Sequence, residues 1–455
     1  MRKKIIAYVL MVSCFGIFAC AEIPKENSKN LPPNIIVIIA DDAGWNDFSY
    51  HGSEIKTPHI DALAKNGVEL NRFYANPTCS PSRASFFTGR PASRMGIVAP
   101  ISDKSEVSLP DSIPTLPQLL KKANYETALF GKWHLGLKPS SGPKKYGFDY
   151  AYGFLHGQID QYSHEYKNGD PSWHRNGKFI TEEGHTTDLI EKETILWLKT
   201  KRDTTKSFYI QLAYSAPHFP LQEENKWKAP YLESIKDSSR RDFAAAMSHM
   251  DHSIGQVLEV LKSEHLEKNT IIIFMSDNGA MQNWYPTTQY RGKHGPNPVL
   301  GSNFPLKDWK TSNYEGAVRL PAIVNWKSKL SPSVNNNYIS IIDLMPTLVE
   351  LSGANSIPET VEGKNIWNVI ATNDTIVNEI YIRGHIQESI IQKPWKLIRT
   401  RHKNTEPDFE LYTIESDPEE KQNLLKDNPT VYLEMKSKLE KQFAKDDKNV
   451  NALIK

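Results

Sequence analysis

The chain has 455 residues, of which 39% are hydrophobic and 24% charged, enough apolar material for a large core and too much for wholesale disorder. Lysine plus arginine number 55 against 53 aspartate plus glutamate, a formal charge of +2, which gives no general electrostatic footprint for nucleic acid, and no such partner is expected. Two of the three cysteines, Cys14 and Cys20, fall in the N-terminal segment and leave Cys79 alone, which excludes a disulfide framework.

Residues 1–19 open with Arg2, Lys3 and Lys4 and run on in mostly apolar residues to Ala19. That run is short of the ~20 residues of a membrane span and suits a signal-peptide core. Its end, Ile17-Phe18-Ala19-Cys20, resembles the lipobox of bacterial lipoproteins. The resemblance implies lipidation of Cys20, export, and a membrane contact through that lipid at the outer membrane of a Gram-negative bacterium, on its surface or periplasmic side. An ordinary signal cleaved nearby is the alternative. Residues 20–33, polar and Pro-containing, read as a tether.

From residue 34 onward, β-branched apolar runs alternate with amphipathic stretches, the pattern of an α/β domain with a largely parallel sheet. Asn34–Ala40 and Thr270–Ser276 are nearly continuous apolar runs, as expected of central strands covered on both faces. Thr57 and Pro58 read as the N-cap and first residue of a helix that Gly67 stops. Phe243, Met247, Met250, Ile254, Val257, Leu258 and Leu261 recur at three- and four-residue steps, one apolar stripe of a helix laid on the sheet. The catalytic domain is expected over residues 34–370. Residues 371–455, with EIYIR, WKLIR, FELYTI and a charged helix from about Thr430 to Lys445, read as a small C-terminal α+β subdomain.

Both buried strands run into oxygen ligands, the first into Asp41 and Asp42 and the second into Asp277 and Asn278. Ligands of open α/β sheets bind outside the carboxyl ends of the strands, so these residues are expected at one place. Three carboxylates that close repel unless a cation sits among them. All-oxygen ligands favour Ca²⁺, with Mg²⁺ as the alternative, over Zn²⁺. Turn chemistry after a strand is the plainer reading of either pair taken alone.

Cys79 opens the segment CSPSRASFFTGR. Ser80 as N-cap and Pro81 as first helical residue put the thiol beside a helix N-terminus. This segment resembles the maturation signature of type I sulfatases, members of the alkaline phosphatase superfamily. The likeness continues in Asp41-Asp42-x-Gly44, TPHIDALA, GKWHLG with Lys132 and His134, APHFP with His218, SDNG with Asp277 and Asn278, Lys310 with Glu315-Gly316, DLMPTL, and ELYTIESDPEEKQNL near the C-terminus. Bacterial polysaccharide sulfatases and arylsulfatase B-like N-acetylgalactosamine-4-sulfatases share the general pattern. Two departures stand out: Lys307-Asp308-Trp309 precedes Lys310 where the family has Arg-Gly-x, and Ala317 replaces a second glycine. Lys307 therefore stands as a weaker alternative to Lys310.

The resemblance implies an α/β/α sandwich around a large, mostly parallel sheet. It also implies oxidation of Cys79 to Cα-formylglycine by a formylglycine-generating or sulfatase-maturating enzyme. Hydrated formylglycine would attack sulfur beside a metal ion held by Asp41, Asp42, Asp277, Asn278 and residue 79 itself. Arg83 would stabilise the ionised hydroxyl, and Lys132 and Lys310 would neutralise the sulfate oxygens. His218 or Lys310 would protonate the leaving sugar oxygen, and His134 would take the proton that lets sulfate depart.

Two Pro/Gly-rich or aromatic stretches read as substrate-facing loops or as ordinary surface. One carries His156, Trp173, His174 and Arg175, and the other Trp284, Arg291 and His294. Rings that stack on sugars and cations that pair with acid groups suit a sulfated or uronic sugar. The expected function is hydrolysis of sulfate esters on sugars of a sulfated polysaccharide such as ulvan, carrageenan or a glycosaminoglycan. A phosphonate monoester or phosphodiester hydrolase of the same superfamily, or an inactive glycan-binding lipoprotein, are the alternatives. Asn278 in place of histidine argues against the two-zinc phosphatases.

Overall fold

All seven residues of the Asn34–Ala40 strand are buried, because it has parallel neighbours on both sides and an apolar layer on each face. Phe208–Ala213 pairs with one edge and Thr270–Ser276 with the other. In the computed structural model, which describes residues 31–102, 105–286, 288–354 and 356–452, these three belong to a ten-stranded sheet. Beyond Phe208–Ala213 come Glu126–Lys132 and Tyr150–Phe154, also parallel, then antiparallel Trp173–Arg175 and Lys178–Phe179. Beyond Thr270–Ser276 come antiparallel Ala322–Asn325 and Val68–Leu70, and last Ser333–Asn335. The expected α/β fold with a mixed, mostly parallel sheet is what forms.

The strand period of two sends alternate residues to opposite layers. Ile35, Val37 and Ile39 join Leu116, Leu120, Met345 and Leu348 on one face. Ile36, Ile38 and Ala40 join Ile190, Met247, Met250 and Ile254 on the other. The helix with the apolar stripe spans Ser238–Ser263 and supplies much of that second layer.

The Pro58–Lys65 helix forms as expected, but Thr57 does not cap it by side chain. The Thr57 hydroxyl donates to Asp61 Oδ1 (2.9 Å). Asp251, on the long helix, instead accepts from His59 N (3.1 Å) and Ile60 N (2.8 Å). A carboxylate borrowed from a neighbour satisfies the helix start and locks the two helices together.

At the C-terminus four antiparallel strands, Ile380–Arg383, Gln387–Gln392, Trp395–Thr400 and Asp408–Thr413, form a second sheet backed by the Pro429–Phe443 helix. Gln387–Gln392 gives no strand signal in sequence because its buried face includes Glu388, which pairs there with Arg383, Arg399 and Arg401. This sheet belongs to the same compact unit, residues 32–455. Buried Lys396 ties the two regions, with Nζ 2.9 Å from both Glu315 Oε1 and Glu420 Oε1. Cys20, the 1–19 signal and nearly all of the tether lie outside the described residues. Among the described residues no helix is long and apolar enough to cross a membrane.

Candidate active site

Ala40 sits opposite Ser276 in the parallel register, so the residues just beyond the two strands emerge side by side. Asp277 N donates to Ala40 O (3.1 Å). Asp42 N donates to Asp277 Oδ1 (3.3 Å) and Asn278 Nδ2 to Asp42 Oδ1 (2.7 Å). Asp42 turns into the left-handed region, with φ 70°, a conformation that aspartate adopts more readily than most side chains. Gly44 completes the turn because nothing larger fits: a Cβ there would lie 2.3 Å from Ser302 O.

Three basic side chains enter from separate elements, one for each carboxylate. Arg83 donates through Nε (3.1 Å) and Nη2 (2.8 Å) to Asp277 Oδ2, and through Nη1 to Lys132 O (3.1 Å). Lys132 ends its strand with Nζ 2.5 Å from Asp41 Oδ2. Lys310 Nζ lies 2.6 Å from Asp42 Oδ1. Crowding of the carboxylates is thus offset partly by the protein's own cations. At Asp41 burial pushes the carboxyl up to about 7 against the pull of Lys132. At Asp42 burial is outweighed chiefly by Lys310, with Lys132 adding to it, and the carboxyl drops to about 2.

These pairs do not use up the acceptors. Asp41 Oδ1, Asp42 Oδ2 and Asn278 Oδ1 are buried and accept no hydrogen bond, a situation costing roughly 1–3 kcal/mol per group. Asp41, Cys79 and Asp277 each offer a ligand atom within 4.8 Å of one another, as do Asp41, Asp42 and His218. Lone pairs converging with no hydrogens between them fit a hard divalent cation such as Ca²⁺ or Mg²⁺.

Cys79 is the first residue of the Cys79–Thr88 helix and Thr78 its N-cap, two positions earlier than Ser80 as N-cap would set it. The Ser80 hydroxyl is occupied elsewhere, donating to His134 O (2.9 Å) and accepting from Ile101 N (3.1 Å). Cys79 is 2% exposed and lines a cavity of about 200 Å³ with His134, His218, Lys310, Phe219, Gln158 and Lys167. Burial pushes its thiol up, with Lys132 and Lys310 only partly offsetting this. An unmodified thiolate is therefore disfavoured here.

The two histidines take defined tautomers. His134 Nε2 faces Ile101 O at 3.1 Å and so carries the proton, leaving buried Nδ1 without a partner. Burial, Lys132 and Arg83 hold its pKa well below the usual imidazole range, so it stays a neutral proton acceptor. His218 Nδ1 donates to Phe219 O (2.7 Å), and its Nε2 lies 3.5 Å from Asp42 Oδ2. Burial brings His218 down to about 3 although Asp42 opposes it.

Residues 33–354 match the family described as Sulfatase. The chain belongs to the sulfatase family. Residues 308–449 match a second family, the N-sulphoglucosamine sulphohydrolase C-terminal domain. Mouse arylsulfatase J is 35% identical over 357 residues, 74% of this chain and 56% of that protein. Rat N-acetylgalactosamine-6-sulfatase is 32% identical over 344 residues, 71% of this chain and 62% of that protein. The sulfatase chain thus matches less than two thirds of the length of these two relatives. A crystal structure of Ps i-CgsB in complex with k-i-k-neocarrahexaose superposes with a TM-score of 0.82 at 31% identity, covering 91% of this chain and 94% of that one.

Around this sulfatase-family site the remaining expected residues fall into two groups. Lys307 turns away, with Nζ 3.1 Å from Tyr412 Oη and stacked over Tyr314, so of these two lysines only Lys310 reaches the carboxylates. The expectation that Trp173 and His174 face a sugar is corrected: both are buried in a strand of the main sheet, which Arg175 ends with its side chain partly exposed. Trp173 Nε1 donates to Glu182 (3.0 Å), His174 is fully buried, and Arg175 pairs with Glu182 and Glu193 at 3.2 Å each. Trp284 is likewise buried, stacked on Phe219 at 4.1 Å, and stiffens the cavity wall from behind. His156 holds Ser172 Oγ through Nδ1 (2.8 Å) and stacks on Tyr166. His294 is committed to Asp160 Oδ2 (2.8 Å). Arg291 stands exposed at the rim.

Sequence reasoning missed Lys167 as a lining residue, because YKNGD reads only as turn chemistry, and it missed Gly157. A Cβ at Gly157 would lie 2.5 Å from the His134 ring, so only glycine lets that imidazole keep its place. No local signal announces a contact across so many residues.

Proposed function

We propose that this chain hydrolyses sulfate esters on sugars of a sulfated oligo- or polysaccharide. The observation that carries the reading is the convergence, at one cavity floor, of Cys79, two lysines, two neutral histidines and a cage of unpartnered oxygens. A sulfate monoester is an anion with three non-bridging oxygens, and this floor presents positive charge to it from Lys310, with Lys132 buried behind it on Asp41. The complex of Ps i-CgsB with k-i-k-neocarrahexaose supports a saccharide substrate.

Asp41, Asp42, Asp277 and Asn278, with residue 79, would hold a Ca²⁺ or Mg²⁺ ion. When bound, such an ion polarises the sulfate and the nucleophile. Residue 79, were Cys79 converted to formylglycine and hydrated, would supply a geminal diol, one hydroxyl as the nucleophile and the other as the group whose proton is removed to release sulfate. The chain's own residues do the rest. Arg83 and Lys132 hold the site's anions in a fixed frame, so little reorganisation is needed during reaction. Lys310, kept protonated mainly by Asp42 in spite of its burial, is the proton donor for the leaving sugar oxygen. His218, neutral with its Nδ1–H committed to Phe219 O, presents Nε2 as an acceptor, suited to a hydroxyl of the sugar and not to the ester oxygen itself. His134 accepts a proton at Nδ1.

The test compares aryl sulfate, aryl phosphate and sulfated oligosaccharides with wild type and Cys79→Ala. Turnover of sulfate esters by wild type and its loss in a folded Cys79→Ala protein is the expected result. A much faster phosphate ester would point to the phosphonate or phosphodiester reading instead. The same proposal places the protein outside the cytoplasm on a lipid at Cys20, supported by the N-terminal sequence. Release of Cys20→Ser protein into the soluble fraction is its check.

A further inference from the structure

Lys310 stands on a turn held from both sides. On the side of the main sheet, Lys310 N donates to Ala280 O (3.0 Å) and Thr311 N to Pro77 O (2.9 Å), two residues before Cys79. On the other side Asn313, fully buried, is bound into the C-terminal sheet. Its N–H donates to Gln387 Oε1 (2.8 Å), and its Nδ2 donates to Ile382 O (3.1 Å) and Ser389 Oγ (3.1 Å). We propose that Asn313 is a positioning residue, through which the C-terminal sheet aims Lys310 at the leaving oxygen. This rests on the reading of Lys310 as proton donor.

A lysine ammonium rides on a flexible four-carbon stem, so its aim is set by where the backbone holds it. That backbone does not hold itself. Thr311 lies in the left-handed region, with φ 86°, a costly conformation for a β-branched residue that persists only where the surroundings over-determine it. The bonds of Thr311 to Pro77 and of Asn313 to the second sheet supply that constraint. Asparagine suits the place because its amide carries two hydrogens, one for a carbonyl and one for a hydroxyl, whereas an aspartate has none to give. Gln387 is itself fixed, with Nε2 donating to Thr400 Oγ1 (3.0 Å), so the anchor extends over three strands. Gly384, between the first two of them, closes the contact: a Cβ there would lie 3.0 Å from Asn313 Oδ1 and 3.1 Å from Pro77 Cγ. One bend of the C-terminal sheet thus packs against both the turn that carries Lys310 and the segment that leads into Cys79.

The test measures kcat on aryl sulfates running from nitrophenyl to unsubstituted phenyl, for wild type, Lys310→Ala, Asn313→Asp and Gln387→Met, with melting temperatures as the check on folding. Gln387→Met keeps the side-chain length and removes only the acceptor for Asn313 N, so it serves where Asn313→Asp fails to fold. A nitrophenolate departs without a proton and a phenolate departs better with one, so a missing or misaimed acid shows as a deficit that grows with the basicity of the leaving group. Lys310→Ala is expected to lose about a hundredfold on phenyl sulfate and far less on nitrophenyl sulfate. Asn313→Asp and Gln387→Met are expected to show the same steepening, with about a tenfold loss on phenyl sulfate. A deficit equal across the series, or none, in the folded variants overturns the proposal. Crystal structures of the variants keep the two readings apart, with Lys310 Nζ expected to shift by about 1 Å or more. If Lys310→Ala shows no steepening, or no sulfate ester turns over, the proton-donor reading fails. A displaced Lys310 in the variant structures then still supports positioning by Asn313, and an unmoved one overturns it.

Discussion

Arg83 gives two of its nitrogens to a single oxygen, Asp277 Oδ2, and the third to the carbonyl of Lys132. One guanidinium therefore fixes the end of the Thr270–Ser276 strand relative to the end of Glu126–Lys132. An ammonium cannot span the three bonds. Arg83→Lys is expected to lower kcat by about a hundredfold. Arg83→Ala, which leaves a buried carboxylate unpaired, should cost about 3–5 kcal/mol of stability. Steady-state kinetics and urea unfolding check the two effects, and an Arg83→Lys enzyme with wild-type kcat would contradict the positioning role.

Chelation should destabilise as well as inactivate. The three unpartnered oxygens at Asp41, Asp42 and Asn278 would hold the proposed ion only in the folded chain, so an ion present at 1,000 times its Kd would add about 4 kcal/mol. EDTA is expected to lower the melting temperature, Ca²⁺ to restore it, and Asn278→Ala to respond much less to either. A melting curve indifferent to EDTA and Ca²⁺ in wild type would remove the cation from this site.

Gly157→Ala tests the cavity wall without touching a charged group. The added methyl meets the His134 ring at 2.5 Å and must push the imidazole off its bond to Ile101 O. We expect kcat to fall at least about tenfold with KM little changed, since a misplaced base costs rate more than binding. Near-normal kcat would mean that His134 has room to move, and Gly157 would lose its positioning role.

Stability should depend on pH through Glu420. Burial pushes this carboxyl up to about 7, with Lys396 opposing and Glu315 adding to the shift. A raised native pKa means that the folded chain binds this proton more tightly than the unfolded one. Its contribution is full below about 4.5, the ordinary value, and is lost as pH rises through 7. Glu420→Gln should flatten the pH dependence of the urea midpoint in that window by an amount on the order of 3 kcal/mol. Parallel midpoint curves for variant and wild type would exclude the assignment.

Much of this site is readable in sequence because its parts sit at strand ends. Continuous apolar runs announce Asn34–Ala40 and Thr270–Ser276, and the carboxyl ends of such strands are where an open sheet places its ligands. The lysines at 132 and 310 came from family resemblance, and their pairing with Asp41 and Asp42 came only with the fold. Polarity misleads in both directions elsewhere. Trp173 and His174 look like part of a sugar platform yet are buried in a strand, and Glu182 holds the Trp173 indole from another segment. Gln387–Gln392 looks like a loop yet is a strand, because three arginines neutralise Glu388 inside. Pairings of this kind leave no periodic trace.

Asn278 and Asp42 share a hydrogen bond across 236 positions of chain, and neither arm of that contact resembles a cation seat by itself. The seat comes into being only when the intervening strands have closed against Asn34–Ala40. Capture of the proposed ion would therefore report that assembly has finished, and nicking the backbone anywhere between the two arms would put at risk a cluster of oxygens that no single fragment contains.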